Sequence, residues 1–469
     1  MTQLHRKLSA RHLSMIALGG TLGTGIFLTS GSALHVAGSG GAILAYLLMG
    51  VMVYFLMTSL GEMSAYHPVS GSFCEYASLY VGKSFGFAMG YNYWFNWAIT
   101  IAVELIAAAI VMGYWFPVVP PIEWCVLFFL VIFGLNILSV KSYGESQYWL
   151  SLLKVLTVIL FILASIWIVS NQFYAEGNVD LDNWLSGSFR GGSLGLFQVF
   201  LLSGFAFQGT ELVGVAAGEA ADPTRSIPRA IKQIFWRILL FYVLVMLMIS
   251  LIIPSSDPRL LNTKDDVALS PFTIIFSLLH IPYVAGIMNF IILTALLSAC
   301  NSDLYSATRI LWHLSNKGSA PAVFSKVTQS GVPLFALLVT AVFGAAAFLC
   351  YFLGGNSFFL LLVNMSSLSG FIAWYGIARS HLGFRKHYIR DKNKLEDLPF
   401  RARFYPWAPI IAIVLCAVVI FGQWYTLMVS HIMSLSAIMS MYSGLLSVFL
   451  LWIGNRWYRS RKKFRNTRA

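Results

Sequence analysis

Gly19-Gly20-Thr21-Leu22-Gly23-Thr24-Gly25-Ile26-Phe27 places four glycines within seven residues, in the middle of an apolar run. Each glycine weakens a helix interior by about 1 kcal/mol relative to alanine, so a helix built on this run is poorly held at mid-depth and something else must offset the loss. A second polar, glycine-interrupted stretch, Ser203-Gly204-Phe205-Ala206-Phe207-Gln208-Gly209-Thr210-Glu211-Leu212, breaks another apolar run further along. What surrounds both is hydrocarbon. Of the 469 residues 58% are hydrophobic and only 10% charged, with a mean hydropathy of +0.75, whereas soluble domains carry about 25% charged residues. Apolar runs recur from end to end, each long enough at about 20 residues to cross a hydrocarbon core of roughly 30 Å.

These runs predict an all-α integral membrane protein of about twelve transmembrane helices, over residues 12–35, 41–66, 84–113, 122–139, 147–171, 194–217, 231–253, 283–312, 332–353, 355–378, 406–428 and 433–455. An even count puts both termini on one side. With that side cytoplasmic, all but three of the 31 Lys and Arg residues (the exceptions are Arg190, Arg259 and Lys264) fall at the N-terminus, the inner loops with nearby helix ends, or the C-terminus. This is the positive-inside pattern; it makes residues 1–11 a cytoplasmic N-terminus and 456–469 a basic cytoplasmic tail in a multi-pass inner (plasma) membrane protein. It also accounts for the net charge of +13 as membrane anchoring in a lipid bilayer, with no nucleic acid as partner. His5, Arg6, Lys7 and Arg11 precede the first run, but no small-residue cleavage site follows, so a retained helix is expected.

Cys74, Cys125, Cys300, Cys350 and Cys416 are scattered without metal-ligand spacing. The nine His residues form no HExxH or cluster, and neither GxSxG nor a Walker-type loop occurs. An enzyme, a metal centre and a bound cofactor are therefore not expected.

The two interrupted helices are spans 1 and 6. They correspond if residues 12–171 (spans 1–5) and 194–378 (spans 6–10) are structural repeats, with 406–455 forming peripheral spans 11 and 12. Paired interruptions of this kind point to a transporter with inverted repeats, whose site lies at the bilayer midplane between broken helices. Irregular backbone at that depth must line protein or a watery cavity. Free amide N–H groups at the start of a half-helix suit a carboxylate, and free carbonyls at the end of the preceding half suit an ammonium group. An α-amino acid carries both. The alternative is that the glycines only permit close helix packing.

Gly23-Thr24-Gly25-Ile26-Phe27, Gly61-Glu62-Met63 running into Pro68-Val69-Ser70-Gly71-Ser72-Phe73, and Phe207-Gln208-Gly209-Thr210-Glu211-Leu212 resemble the amino acid permeases of the amino acid-polyamine-organocation superfamily, and most of all bacterial lysine-specific permeases. The resemblance extends over nearly the whole chain, through Asn92-Tyr93-Trp94, Gln233-Ile234-Phe235-Trp236-Arg237-Ile238-Leu239 and Gly370-Phe371-Ile372-Ala373-Trp374. It implies a 5+5 inverted repeat (LeuT-like) core with broken helices 1 and 6 plus two peripheral helices, alternating access, and uptake driven by a proton gradient. It further implies that the backbone around Gly23, Thr24 and Gly25 holds the substrate carboxylate through the N–H groups of Thr24 and Gly25. Carbonyls of Thr21, Phe205 and Gln208 would hold the α-amino group, and Phe205 and Phe207 are candidates for an aromatic lid, or else ordinary packing.

Ionisable residues deep in a span are expensive, so each is a functional candidate. Asn92, Asn96, Thr100 and Glu104 recur every fourth residue in span 3 and share a helix face. Glu104 is the expected counter-charge for a substrate ammonium, with a satisfied buried carboxylate as the alternative. Glu211 falls at the start of the inner half of span 6, where the helix dipole favours a carboxylate, and is assigned to gating; Glu219, just past that span, is assigned to an interfacial gate or salt bridge. Related permeases for uncharged substrates tend to carry acids at positions resembling Glu104 and Glu211, so neither proves a cationic substrate. Lys154 lies about 10 Å into span 5 from the inner side, at 1.5 Å per residue. Snorkelling would explain it. The resemblance instead puts its amine against the break in span 1, and a lysine in so dry a setting can bind and release a proton near neutral pH, which makes Lys154 the proton-coupling candidate. Ser298 and Asn301, with Thr294 and Tyr305 in span 8, and Ser366, with Asn364, Ser367 and Ser369 in span 10, are candidates for the side-chain pocket alongside Asn96, though small polar residues are also common at helix interfaces.

The expected function is a proton-coupled symporter importing an amino acid, L-lysine foremost. The alternatives are a permease for arginine, histidine or a neutral amino acid, an exchanger, or a lysine-binding membrane sensor with a membrane-protein partner.

Overall fold

A computed structural model describes residues 22–69, 71–138, 140–176, 184, 187–212, 214, 222–260, 270–279, 281, 283–329, 331–352, 356–392, 394–429 and 435–466. Among them regular structure is helical throughout. In chain order the helices are α1 (Thr24–Phe27), α2 (Thr29–Tyr66), α3 (Ser72–Tyr80), α4 (Lys83–Met112), α5 (Pro121–Leu138), α6 (Val140–Glu176), α7 (Gly192–Phe207), α8 (Pro223–Arg237), α9 (Val245–Ile252), α10 (Pro271–Ser277), α11 (Val284–Asn316), α12 (Leu334–Gly344), α13 (Asn356–Arg390), α14 (Trp407–Val429) and α15 (Leu435–Asn466). Among the described residues, seven helical stretches are long and apolar enough to cross a membrane, the first Thr29–Tyr66 and the last Trp407–Val429, and the shorter apolar helices Pro121–Ile137, Gly192–Phe207 and Leu334–Leu349 lie among them. The chain is thus a multi-pass helical membrane protein.

The breaks in this framework follow from local chemistry. In α2 the helical path fails at Gly38, whose φ of 76° and ψ of 176° only glycine adopts without strain; there two helical segments join across a kink. α7 stops at Phe207, where Gln208 turns extended and Gly209 takes a φ of 88°. α8 starts at a sequence-coded cap, with Pro223 in the first turn and Asp222 accepting the Arg225 N–H. Between α8 and α9, residues Ile238–Leu244 widen to a π-helix, a feature common at functional sites.

α4 lies at the centre, packed against α3, α5, α11, α12, α13 and α15. α6 lies at the outside and is two-faced. Leu156, Ile159, Leu160, Leu163 and Trp167 are exposed, while Lys154, Val158, Phe161 and Ser165, at helical spacing on the other side, are buried. Lys154 is only 2% exposed, so it does not snorkel to the surface but faces the protein.

Near the C-terminal end of α2, Glu62 is fully buried and accepts from Arg385 Nε, from Arg385 Nη2 at 2.7 Å and from the Ala402 N–H at 2.6 Å, with His381 Nε2 3.2 Å away. One carboxylate thereby joins α2, α13 and the segment leading to α14.

Candidate functional site

α1 and α7 meet. A Cβ built on Gly25 would lie 2.3 Å from Ala206 Cα and 3.0 Å from its backbone N, so the start of α1 touches α7 backbone to backbone, at a distance that no larger residue allows.

The carbonyls at the C-terminal end of α1, where it gives way to α2 at Leu28, find side-chain partners. Thr29 Oγ1 donates to the Gly25 carbonyl, Ser30 Oγ to that of Ile26 and Ser270 Oγ to that of Phe27, each at 2.6 Å. Hydroxyls thus do what water cannot do in hydrocarbon. The opposite, N-terminal end of α1 is held by an acid: the Thr24 N–H donates to Glu104 Oε1 at 3.3 Å, and Thr24 Oγ1 to Glu104 Oε2 at 2.9 Å.

At the second break Gln208 is the organising residue. Its Nε2 donates to the carbonyls of Ser366 and Ser367 at 3.0 and 3.3 Å, and its Oε1 accepts from Asn96 Nδ2 at 3.1 Å, with Ser366 Oγ 3.3 Å away. Ser366 Oγ also donates to Asn96 Oδ1 at 2.8 Å and lies 2.7 Å from Thr100 Oγ1. α4, α7 and α13 are thereby bound into one buried polar network, which rigidifies a site when every member is satisfied.

Between the breaks lies a cavity of about 30 Å³, lined by Gly23, Gly25, Trp97, Thr100, Glu104, Phe205, Gln208, Ala299 and Asp303. At that size it holds about two waters, so admission of an amino acid requires the surrounding helices to part. Lys154 stands beside it as the electrostatic neighbour of both Glu104 and Asp303.

Of the residues expected to act together, Gly23, Gly25, Glu104, Phe205 and Gln208 line this cavity; Thr24, Asn96 and Ser366 bond to its lining. Ser298 and Asn301 do not join it. Ser298 Oγ donates to Gln147 Oε1 at 2.7 Å, and Asn301 Oδ1 accepts from Asn136 Nδ2 at 2.7 Å, so both turn toward α5 and α6, because α11 presents more than one polar face. Phe207 is also outside the cavity: it is fully buried and stacks on Tyr242 with ring centroids 4.2 Å apart, which is packing, whereas Phe205 remains at the lining. Glu211, fully buried, accepts from Trp374 Nε1 at 3.2 Å and from Tyr93 Oη and Thr210 Oγ1 at 3.4 Å, away from the cavity. Thr21 and Glu219 lie outside the described residues.

Asp303, Trp97 and Ala299 are lining residues that the sequence reading missed. Asp303 carried a usable signal, being a carboxylate in the middle of an apolar span like Glu104; Trp97 and Ala299 are indistinguishable from packing residues by sequence.

Comparison with known proteins agrees with this architecture. Residues 12–467 match the amino acid permease family. The chain is 48% identical to the lysine-specific permease LysP of Escherichia coli (strain K12) over 96% of its own length and 93% of that protein's. It is 45% identical to the LysP of Lactococcus lactis subsp. cremoris (strain MG1363) over 98% and 91%. With the histidine permease HisP of that same strain it shares 46% identity over 88% and 87%. Two helices that touch at their breaks around a charged cavity, in a chain matched end to end, place this protein in the amino acid permease family.

Proposed function

We propose that the chain imports L-lysine as a proton-coupled symporter, working by alternating access through twelve spans, of which ten form two inverted repeats (12–171 and 194–378), with 406–455 peripheral and both termini in the cytoplasm. The observation that carries this reading is the cavity between Gly25 and Phe205, which combines exposed backbone at two helix breaks with two carboxylates. Backbone N–H groups near Thr24 and Gly25 receive the substrate carboxylate, and the Phe205 and Gln208 carbonyls, with that of Thr21, receive the α-amino group. Since Glu104 engages the Thr24 N–H, substrate carboxylate and Glu104 are alternative partners for that donor, and Glu104 must yield it when substrate arrives. Phe205 acts as the lid, Glu211 and Glu219 serve the inner gate, and Lys154 carries the coupling proton. The names of the LysP relatives support lysine as cargo.

The similarity to HisP favours histidine as the second reading. Uptake of labelled lysine into proteoliposomes under an imposed inward proton gradient, with unlabelled lysine, arginine, histidine and leucine as competitors, separates the two. Lysine should compete most strongly and the gradient should drive accumulation above equilibrium. Uptake indifferent to the gradient removes the coupling claim, and stronger competition by histidine removes lysine.

A further inference from the structure

The cavity holds an imbalance of charge that its hydrogen bonds locate. Two carboxylates line it, Glu104 of α4 and Asp303 of α11, and one ammonium, that of Lys154 on α6, is the electrostatic neighbour of both. With all three ionised the cluster sums to one negative charge, at a depth where an uncompensated charge is costly. The two acids differ in what they already hold. Glu104 is engaged through both oxygens by Thr24. Asp303 is 3% exposed, and its Oδ2 accepts no hydrogen bond among the described residues. A buried carboxylate oxygen without a donor is the exception in folded proteins and calls for a partner.

We infer that Asp303 is the specificity-determining residue that receives the side-chain cation of the substrate. This rests on the reading of the cavity as the amino acid site and reassigns one role within it: Glu104 belongs to the backbone end, beside Thr24, and Asp303 to the distal end. The lining carries this division. Gly23, Gly25, Phe205 and Gln208 offer the main-chain groups that suit a zwitterion, while Asp303 enters from α11, four residues beyond Ala299, whose side chain packs against Gly23. A substrate whose side chain ends in one ammonium or guanidinium brings the cluster to neutrality and gives Asp303 Oδ2 its missing donor. A side chain of the same length without charge does neither. The ligand class is therefore an α-amino acid with a cationic side chain, and the selectivity comes as much from the cost of leaving Asp303 unpaired as from the new contact.

The decisive comparison is lysine against norleucine, which has the same carbon chain without the ε-amine. Binding of both to the purified full-length protein, wild type and Asp303→Asn, should show lysine preferred by the wild type. In Asp303→Asn lysine should weaken by about tenfold or more, as for loss of a charged hydrogen bond, while norleucine is unchanged and reports an intact site. Asp303→Glu, one methylene longer, should keep the preference for a cation but move it from lysine toward ornithine, one methylene shorter; this arm decides the matter if the Asn variant does not fold. If lysine and norleucine weaken together in Asp303→Asn, Asp303 serves only to neutralise Lys154 and the inference is overturned. It is equally overturned if the lysine preference survives that change, and then the lysine-importer reading still stands. A wild type without preference for lysine removes both.

Discussion

Glu104 and Thr24 form a two-point contact in which the N–H and the Oγ1 of one residue meet the two oxygens of the other, at 3.3 and 2.9 Å. The contact bridges α1 and α4 across 80 positions of sequence and closes one side of the cavity, because Glu104 Oε1 would lie only 2.8 Å from a Cβ placed on Gly23. The acid holds the N-terminal end of α1 through its first amide and hydroxyl.

Removing the hydroxyl tests the strength of that contact. Thr24→Val preserves shape and the backbone donor but takes away the shorter bond to a buried carboxylate, a loss of about 1.5–3 kcal/mol for a bond to a charged group. Thermal unfolding of the detergent-purified protein should show the corresponding destabilisation, and Thr24→Ser should restore most of it. Equal melting of the Val and Ser variants would mean that the hydroxyl contributes nothing.

Gly25→Ala tests the contact between the breaks. The added methyl would lie 2.3 Å from Ala206 Cα, and backbone cannot move aside as a flexible side chain does. Overpacking of this kind costs about 1–3 kcal/mol, here directed at the parting of α1 from α7, so lysine uptake should fall by about tenfold or more. Uptake at wild-type rate would show that the contact between α1 and α7 does not limit transport.

Much of this was legible in the sequence, and the reason is physical. Glycines at mid-depth of an apolar run have few uses: Gly23 and Gly209 mark the non-helical backbone that precedes α1 and follows α7, and Gly25 marks the close approach of the two helices. The spacing of Asn92, Asn96, Thr100 and Glu104 identified the inward face of α4, three of whose four polar positions now line the cavity or bond to its lining. α11 was read less well. Its polar residues lie on more than one face, so Ser298 and Asn301 could not be told from Asp303 by periodicity, and only the neighbouring helices decide which of them sees the cavity. Phe205 and Phe207 are two residues apart on α7 and therefore point in different directions, one to the lining and one to Tyr242; composition alone made them equivalent. Asp303 was readable by the rule applied to Glu104.

Gln208 provides a test of the polar network. Its amide donates to two carbonyls, a task that an ionised carboxylate cannot perform. Gln208→Glu should therefore detach the second break from α13 and reduce transport by about tenfold or more, since a buried acceptor facing two acceptors loses about 1–3 kcal/mol per unmet bond. Gly370→Ala should act through the same residue, because its methyl would lie 2.3 Å from Gln208 Nε2. Normal transport by both variants would remove Gln208 from the working site.

The cluster around Glu62 should behave as a unit. Glu62 and Arg385 are 0% and 2% exposed, and loss of one member of such a buried pair costs about 3–5 kcal/mol, largely from the charge left behind. Arg385→Met should therefore yield little folded protein, and Glu62→Gln combined with it should recover a substantial part. A double variant no better than the single one would show that the two residues are not coupled.

Lys154 separates binding from energy coupling. It lies on the buried face of α6, outside the cavity lining but within electrostatic reach of both lining carboxylates, which suits a group that exchanges a proton with the site without touching the substrate. Lys154→Ala removes that charge and leaves the backbone groups of both breaks in place. Lysine affinity at equilibrium should change by less than about tenfold, below 1.4 kcal/mol, whereas accumulation against a lysine gradient under an imposed proton gradient should be lost, and exchange of internal for external lysine should persist. Binding and accumulation falling by the same factor would make Lys154 a structural partner of the carboxylates and leave the proton with another carrier.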